Sequence, residues 1–440
     1  MSGDAFSVVG GGLAGPLMAA HLGRAGHRTT LYEMRPDPRV AGSGGGRSIN
    51  LALSRRGMHA LDAVGVLDRV LELGLPMRGR MMHGVSGSLT FQPYGTRPEH
   101  VLHSVPRGLL NEALLDVAEA TPGVSVAFEH KCTEVDLDGR TVTFEVGREG
   151  AGKRVAAGTV VGADGAYSRV RAAMRRRDRF DYRQDYLDYG YKELSMPPAS
   201  GGGFALDPGA LHIWPRRSYM MIALPNRDFT FTCTLFWPFD GPVSFAAIRE
   251  PDAVRRFFDE RFPDVSGLLP DLTEQFAANP VGSLVTVRCR PWSVEDRAVL
   301  IGDACHAVVP FYGQGMNAAF EDCTVLDACL GRSPDRAASF RAYESRSRDA
   351  NAIADLALAN FVEMRDHVGS RSFLVRKWTE RVLSRFLGFW YVPLYTMVSF
   401  TRIPYAEARD RARRQDRMVM AGALVLLVAL LAAAAALGRR

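Results

Sequence analysis

The chain has 440 residues, 47% of them hydrophobic and 23% charged, with a formal net charge of +6. This is a globular composition, long enough for about two or three domains. So mild a positive surplus gives no reason to read nucleic-acid binding. Six cysteines, at 132, 233, 289, 305, 323 and 329, form no CxxC pair. They suggest reduced thiols rather than a disulfide framework.

Residues 6–9 (FSVV) predict a short strand, and Gly10-Gly11-Gly12-Leu13-Ala14-Gly15 leads from it into a helical pattern reaching about residue 26. Residues 28–33 (RTTLYE) predict the next strand, ending in Glu33. A GxGxxG run between strand and helix is the βαβ turn of a dinucleotide site. Gly10 would make the turn, Gly12 would let a pyrophosphate approach, and Gly15 would let helix and sheet pack. The helix N-terminus would then face phosphate, and Glu33 is spaced to reach ribose hydroxyls.

Further α/β patterning covers about 101–180, with a helix near 107–120 and a strand at 159–164 (TVVGAD). Between about 185 and 287 the pattern changes. FTFTCTLF (229–236) alternates, with Phe229, Phe231, Cys233 and Leu235 on one side, and SYMMIAL (218–224) precedes it across PNRD. These predict an antiparallel hairpin in a second domain with one covered face. RAVLIGD (297–303) returns to a buried strand, and residues 316 to about 405 are mostly helical.

The last apolar stretch, 418–438, contains no charge. At 1.5 Å per residue it would span roughly 31 Å, about a bilayer core. Five Arg and two Asp precede it in RDRARRQDR, and only Arg439-Arg440 follow. The expectation is a C-terminal anchor with the catalytic body on the cytosolic side. Removing 418–440 should then solubilise the protein, whereas removing everything after about 355 should abolish activity.

In IGDACHAVVPFYGQGMN (301–317), Cys305 beside His306 raises the question of a thiol nucleophile or a metal. No HxH, HxxxH or CxxC lies nearby, and adjacent residues rarely form a nucleophile pair, so no metal and no protein catalytic group is expected. Three glycine-acid elements, GGGLAG with Glu33, GADGAYSRVR (162–171) and GDACHAVVPFYGQGMN (302–317), together resemble the single-component FAD-dependent aromatic hydroxylases. GRSINLALSRRG (46–57), MRGRMMH (77–83), PYGT (93–96), LHIWPRRSYMMIALPN (211–226), NFVEMRDHV (360–368) and VPLYTMVSF (392–400) narrow the resemblance to the kynurenine 3-monooxygenase family.

The resemblance implies an α/β fold. A Rossmann-like FAD-binding domain (1–83, 101–180 and 288–345) would carry an inserted antiparallel-sheet substrate domain (84–100 and 181–287). A helical region (346–405) and the transmembrane helix would follow. It implies FAD held by Gly10, Gly12, Ala14, Gly15, Glu33, Arg35, Ala52, Arg107, Cys132, Asp164, Asp303, Gly315, Met316 and Asn317. Arg80 would pair with the carboxylate of L-kynurenine, with Tyr94, Asn360 and Tyr395 hydrogen-bonding at the same end. Leu211, Met220, Ile222, Leu224, Phe236, Phe311 and Met364 would wall the aromatic ring, and Gln314 would lie near the aniline and carbonyl.

NADPH and O₂ would be co-substrates, with the oxygen delivered from a flavin C4a-hydroperoxide within tryptophan catabolism. Only one dinucleotide fingerprint is present, so NADPH would bind transiently. Three other readings stay open at this point: an aromatic hydroxylase acting on a phenol or benzoate, a membrane-bound flavin-binding sensor or scaffold without turnover, and a plain NAD-dependent dehydrogenase.

Overall fold

The computed structural model describes residues 5–41, 49–95, 97–147, 150–367, 371–388 and 390–437. Residues 46–48 of the GRSINLALSRRG run, Thr96, Val368 and Gly438 lie outside these. The first strand (Ala5–Val9) is central in a six-stranded sheet of order Ser293–Val294, Ala298–Leu300, Thr159–Gly162, Ala5–Val9, Arg28–Tyr32, Val124–Ala127. All neighbours are parallel except the edge pair Ser293–Val294 and Ala298–Leu300. The central strands are covered on both faces, which explains their mostly apolar runs, whereas the outer strands Arg28–Tyr32 and Val124–Ala127 are more polar. Phe6, Val8, Val9, Val160, Val161, Val299 and Leu300 are all buried in one core cluster.

Helix Ala14–Arg24 follows the first strand. Gly10 has φ +108°, and a Cβ at Gly15 would stand 1.8 Å from the Gly10 carbonyl oxygen. No side chain fits between backbones that close. Gly15→Ala is therefore expected to abolish FAD loading and most soluble expression, read from the flavin absorbance of the purified fraction. Retention of full flavin content would refute the packing role.

The second sheet has seven strands, in the order Gly282–Arg290, Asp181–Met196, Phe231–Pro238, Met220–Pro225, Ala210–Pro215, Gly79–His83, Leu89–Pro93. The predicted hairpin is its centre, Met220 opposing Phe236 and Leu224 opposing Thr232. Phe229 is not part of the alternation. It sits in the turn with φ +68°, exposed, because Asp228 accepts from the Thr230 amide and holds the turn one residue longer.

The sheet is covered on both faces rather than one. Met221, Ala223, Phe231, Cys233, Leu235 and Trp237 pack with helices Pro251–Arg261 and Leu272–Ala278. Met220 and Phe236 pack on the other face with Phe311, Phe361 and Met397. Alternate side chains of one strand thus enter two cores.

Domain boundaries also shift in detail. Gly79–His83, placed by the sequence reading with the nucleotide segments, pairs in parallel with Ala210–Pro215, and strand Gly282–Arg290 runs past the expected boundary at 287. Two three-stranded sheets complete the body: His130–Asp136, Thr141–Val146 and Ala151–Ala156, and Asn50–Leu53, Leu102–Pro106 and Leu75–Met77. Helices Gly315–Leu330, Arg336–Tyr343, Ser347–Val362, Arg371–Leu387 and Leu394–Phe400 lead to a 33-residue helix, Tyr405–Leu437. Its first turns are buried (Tyr405, Ala406, Ala408), and from Met418 its large apolar side chains are exposed.

Candidate active site

The glycine turn forms an open backbone cradle. A Cβ at Gly12 would meet nothing within 4 Å, and helix Ala14–Arg24 has neither a side-chain cap nor an acid in its first turn. Its uncapped amides and dipole favour a pyrophosphate. Glu33 Oε2 accepts from the Gly11 amide at 2.6 Å and Oε1 from the Arg35 amide at 3.0 Å. The acid is thereby fixed at the rim of the cradle, with the Arg35 side chain exposed beside it. Asn111, which sequence reasoning missed, donates to the Gly11 carbonyl at 3.1 Å.

Asp164 follows strand Thr159–Gly162 and accepts from Ser168 Oγ at 2.5 Å and the Arg169 amide at 2.6 Å. Burial raises its carboxyl against these bonds. Cys132, on a neighbouring strand, is pushed up to about 12 by burial and then by Asp164. Buried Arg171 donates to the Ala304 carbonyl at 2.7 Å, joining this element to the Gly302-Asp303 turn.

Gly302 has φ +58°, a backbone region that favours glycine. Asp303 is exposed at the surface of this turn, although neighbouring protein atoms crowd its carboxyl. Desolvation raises its carboxyl, and His306 and Arg107 oppose the rise. Such a carboxylate is stabilised by hydroxyl donors, and the ribityl chain of a flavin offers them. Asp303→Asn is expected to weaken FAD binding roughly 10- to 100-fold, the worth of a charge-assisted bond. Unchanged FAD affinity would remove Asp303 from the cofactor site.

Cys305 and His306 acquire a third neighbour, Asp322, with donor atoms within 4.8 Å of one another. All three are engaged by the protein. His306 Nε2 meets Asp322 Oδ2 at 2.5 Å, the Cys305 thiol donates to the Gly302 carbonyl, and Arg346 donates to Asp322 Oδ1 at 3.0 Å. Burial, then Asp322, push the Cys305 thiol well above its ordinary value, so it is a poor nucleophile. Burial would raise Asp322, but His306 and Arg346 outweigh it and hold the carboxyl low. The Gly302 amide donates to Asp322 Oδ2, so this buried cluster fixes the turn that presents Asp303. Only the fold assembles it, since 16 residues separate Asp322 from His306.

Met316 is partly buried against the nucleotide-side core, at the start of the helix that Gly315 opens. Asn317 is fully buried. Its Nδ2 donates to the Ala52 and Gly313 carbonyls at 2.9 and 2.8 Å, and its Oδ1 accepts from the Ser54 amide at 2.9 Å. Its amide is thus saturated by protein, and it positions the backbones of Ala52 and Gly313.

On the substrate side the structure brings Arg80, Tyr94, Asn360 and Tyr395 to one cavity of about 1600 Å³. The Arg80 guanidinium carbon lies 4.4 Å from the Tyr395 ring centre and 5.9 Å from that of Tyr94. Tyr94 and Tyr312 each stack on Tyr395 at 5.6 Å. The Arg80 Nε and the Tyr94 hydroxyl are buried without a protein hydrogen-bond partner. Groups of that kind in a cavity wall are where a ligand's polar atoms belong.

The expected apolar wall assembles beside them. Met220, Phe236, Phe311 and Met364 share one cluster, Leu224 joins Tyr94 in the adjoining one, and Leu211, Ile222 and Tyr395 touch both. None of the seven residues Leu211, Met220, Ile222, Leu224, Phe236, Phe311 and Met364 lines the large cavity, which extends instead toward the C-terminal helices.

Two residues are placed differently from expectation. Asn360 donates to the Phe311 carbonyl at 2.6 Å, which commits its amide nitrogen to the loop before Gly313. Gln314 is buried off the cavity, and its Oε1 accepts from the Tyr405 hydroxyl at 3.0 Å. Tyr312, Arg56 and Tyr405 were missed as site-shaping residues. Tyr312 and Arg56 stood inside runs already singled out, but nothing local in the sequence marked Tyr405.

The FAD binding domain family model matches residues 4–201 and 265–360. Kynurenine 3-monooxygenase of Salinispora tropica is 50% identical over 438 residues, covering 98% of this chain and 97% of that protein. The Anopheles gambiae protein of the same name is 43% identical over 436 residues, covering 98% and 88%. Among solved structures, a tetrameric 2-methyl-3-hydroxypyridine-5-carboxylic acid oxygenase superposes with TM-score 0.69 at 20% identity, covering 86% of this chain and 96% of that one. Pseudomonas aeruginosa PqsL, solved with 2-aminobenzoylacetate, has TM-score 0.66 at 19% identity, covering 82% and 96%. These two establish the fold alone. By the FAD-domain match and by identity over nearly its whole length, the chain belongs to the kynurenine 3-monooxygenase family of FAD-binding proteins.

Proposed function

We propose that this chain hydroxylates L-kynurenine to 3-hydroxy-L-kynurenine, consuming NADPH and O₂ with FAD as cofactor. The observation that carries the substrate reading is Arg80. Its guanidinium is caged by tyrosine rings, has no carboxylate partner among the described residues, and stands beside an apolar cluster. A ligand with a carboxylate at one end and an aromatic ring at the other satisfies both features.

The cradle at Gly12, the rim acid Glu33 and the exposed acid Asp303 beyond Gly302 suit FAD. When bound, FAD supplies electron transfer from NADPH and activation of O₂. The protein's own residues do the rest. Arg80 would neutralise the amino-acid carboxylate, and Tyr94 and Tyr395 would fix its orientation. Met220, Ile222, Leu224 and Phe236 would hold the ring and exclude water. Asn360 and Asn317 would act one step removed, holding the Phe311 and Gly313 carbonyls in place. The apolar half of helix Tyr405–Leu437 is long and apolar enough to cross a bilayer, and it would anchor the body to the cytosolic face.

The test is NADPH oxidation by the FAD-loaded protein with and without L-kynurenine, with chromatography for the hydroxylated product. Substrate-stimulated oxidation with matching product is expected. Stimulation yielding only peroxide would point to a different aromatic amino acid, and a panel of benzoates and phenols separates the remaining hydroxylases. No stimulation would leave the fold and remove the activity.

A further inference from the structure

We propose that residues 371–390 lie flat on the bilayer surface and form a second, interfacial membrane contact that also walls the substrate cavity. This rests on the reading of helix Tyr405–Leu437 as an anchor, and it assigns lipid contact to a separate segment.

Three observations support it. First, helix Arg371–Leu387 and the turn after it expose large apolar side chains that no described part of the chain covers. Phe386 is 78% and Trp390 81% accessible, with Val375 and Leu387 also exposed. Second, the helix sequence RSFLVRKWTERVLSRFL has four Arg and one Lys against one Glu. Basic residues mixed with Trp, Phe and Leu suit an interface where cations meet anionic headgroups and aromatic rings enter the acyl boundary. A water-facing helix would not leave Phe and Trp bare.

Third, the segment adjoins the anchor. Thr379, Leu383 and Ser384 on one side, and Val419 and Met420 on the other, line the same cavity as Arg80 and Tyr395. The anchor helix becomes exposed and apolar from Met418, which is 65% accessible. The bare patch therefore continues the surface at which the anchor leaves the body, so a bilayer reached by the anchor also meets residues 371–390. Lipid is the one occupant for which both the composition and this continuity argue.

The experiment uses the full-length protein carrying Trp378→Phe. Trp214, Trp237 and Trp292 are buried in the body, which leaves Trp390 as the exposed reporter. The protein is incorporated into vesicles of phosphatidylcholine and anionic lipid, with and without bromine on the acyl chains. The expected result is loss of roughly half or more of the Trp390 emission in brominated vesicles and a several-fold drop in iodide quenching. Trp390→Phe in the same background should abolish the bromine effect.

Trp390 that stays open to iodide and blind to bromine, in protein that floats with the vesicles, overturns the interfacial contact and leaves the anchor intact. Trp390 shielded from both quenchers means that another protein surface, such as a second copy, covers the patch, and it overturns the proposal as well. Full-length protein that does not partition with vesicles at all sinks the anchor reading and this one together.

Discussion

Replacing Arg80 with alanine is expected to lower kcat/KM for L-kynurenine by roughly 30- to 5000-fold while leaving the FAD spectrum unchanged. The magnitude is that of truncating one partner of a buried, hydrogen-bonded charge pair, about 2–5 kcal/mol, at about 1.4 kcal/mol per decade. The loss should sit mainly in KM, because a carboxylate far from the reacting carbon is bound equally in ground and transition states. Arg80→Lys should recover only part of it. Lysine keeps the charge but not the planar fork, and it stacks less well on Tyr395.

Tyr94→Phe gives an independent reading of the same site. The Tyr94 hydroxyl is buried without a protein partner, so its removal should stabilise the free protein by about 1 kcal/mol or more while weakening substrate binding about tenfold. Effects of opposite sign on stability and binding mark a ligand group. A variant that loses stability and keeps KM would make Tyr94 an ordinary packing residue.

The second large effect concerns where the chain can be cut. A protein ending at residue 417 should fold, stay in the soluble fraction and keep most of its turnover. A protein ending at 404 should lose FAD and precipitate. The two ends differ by a helix segment that the body uses directly. The Arg56 guanidinium carbon lies 3.9 Å from the Tyr405 ring centre, Arg56 donates to Glu321 Oε1 at 2.6 Å and to the Ile403 carbonyl, and Arg346 donates to Glu321 Oε2.

Removing Tyr405 takes the ring off the buried Arg56 guanidinium and opens this charge network to water, the loss of a desolvated cation–π contact worth about 2 kcal/mol. It also releases Gln314, whose Oε1 the Tyr405 hydroxyl holds. Gln415 donates to the Val392 carbonyl, so a chain ending at 417 keeps this contact and gives up only Val419 and Met420 from the cavity lining. Tyr405→Phe separates the two roles. It keeps the ring over Arg56 and loses only the bond to Gln314, so it should cost about 1 kcal/mol and leave FAD in place. Equal activity from proteins ending at 404 and 417 would show that the docked segment has no part in the site.

What the sequence determined by itself was local. GGGLAG between two β-type runs, with Glu33 at the right distance, specifies a nucleotide turn because each glycine answers a backbone requirement within a few residues. The alternation of Met220, Ile222 and Leu224 places them on one strand face for the same reason. The apolar run after Arg417 is legible from composition alone.

What only the tertiary structure decided was which of these pieces touch. Glu33 closes onto Gly11 across 22 residues, Asp322 completes the Cys305-His306 turn, and Tyr405 reaches Gln314 across 91 residues. It also turned Gln314 and the Asn360 amide nitrogen toward protein partners, and it put Phe229 in a turn instead of the strand. A buried polar group must find a hydrogen-bond partner, but nothing in its immediate sequence says which, because the partner is supplied by whichever element packs against it.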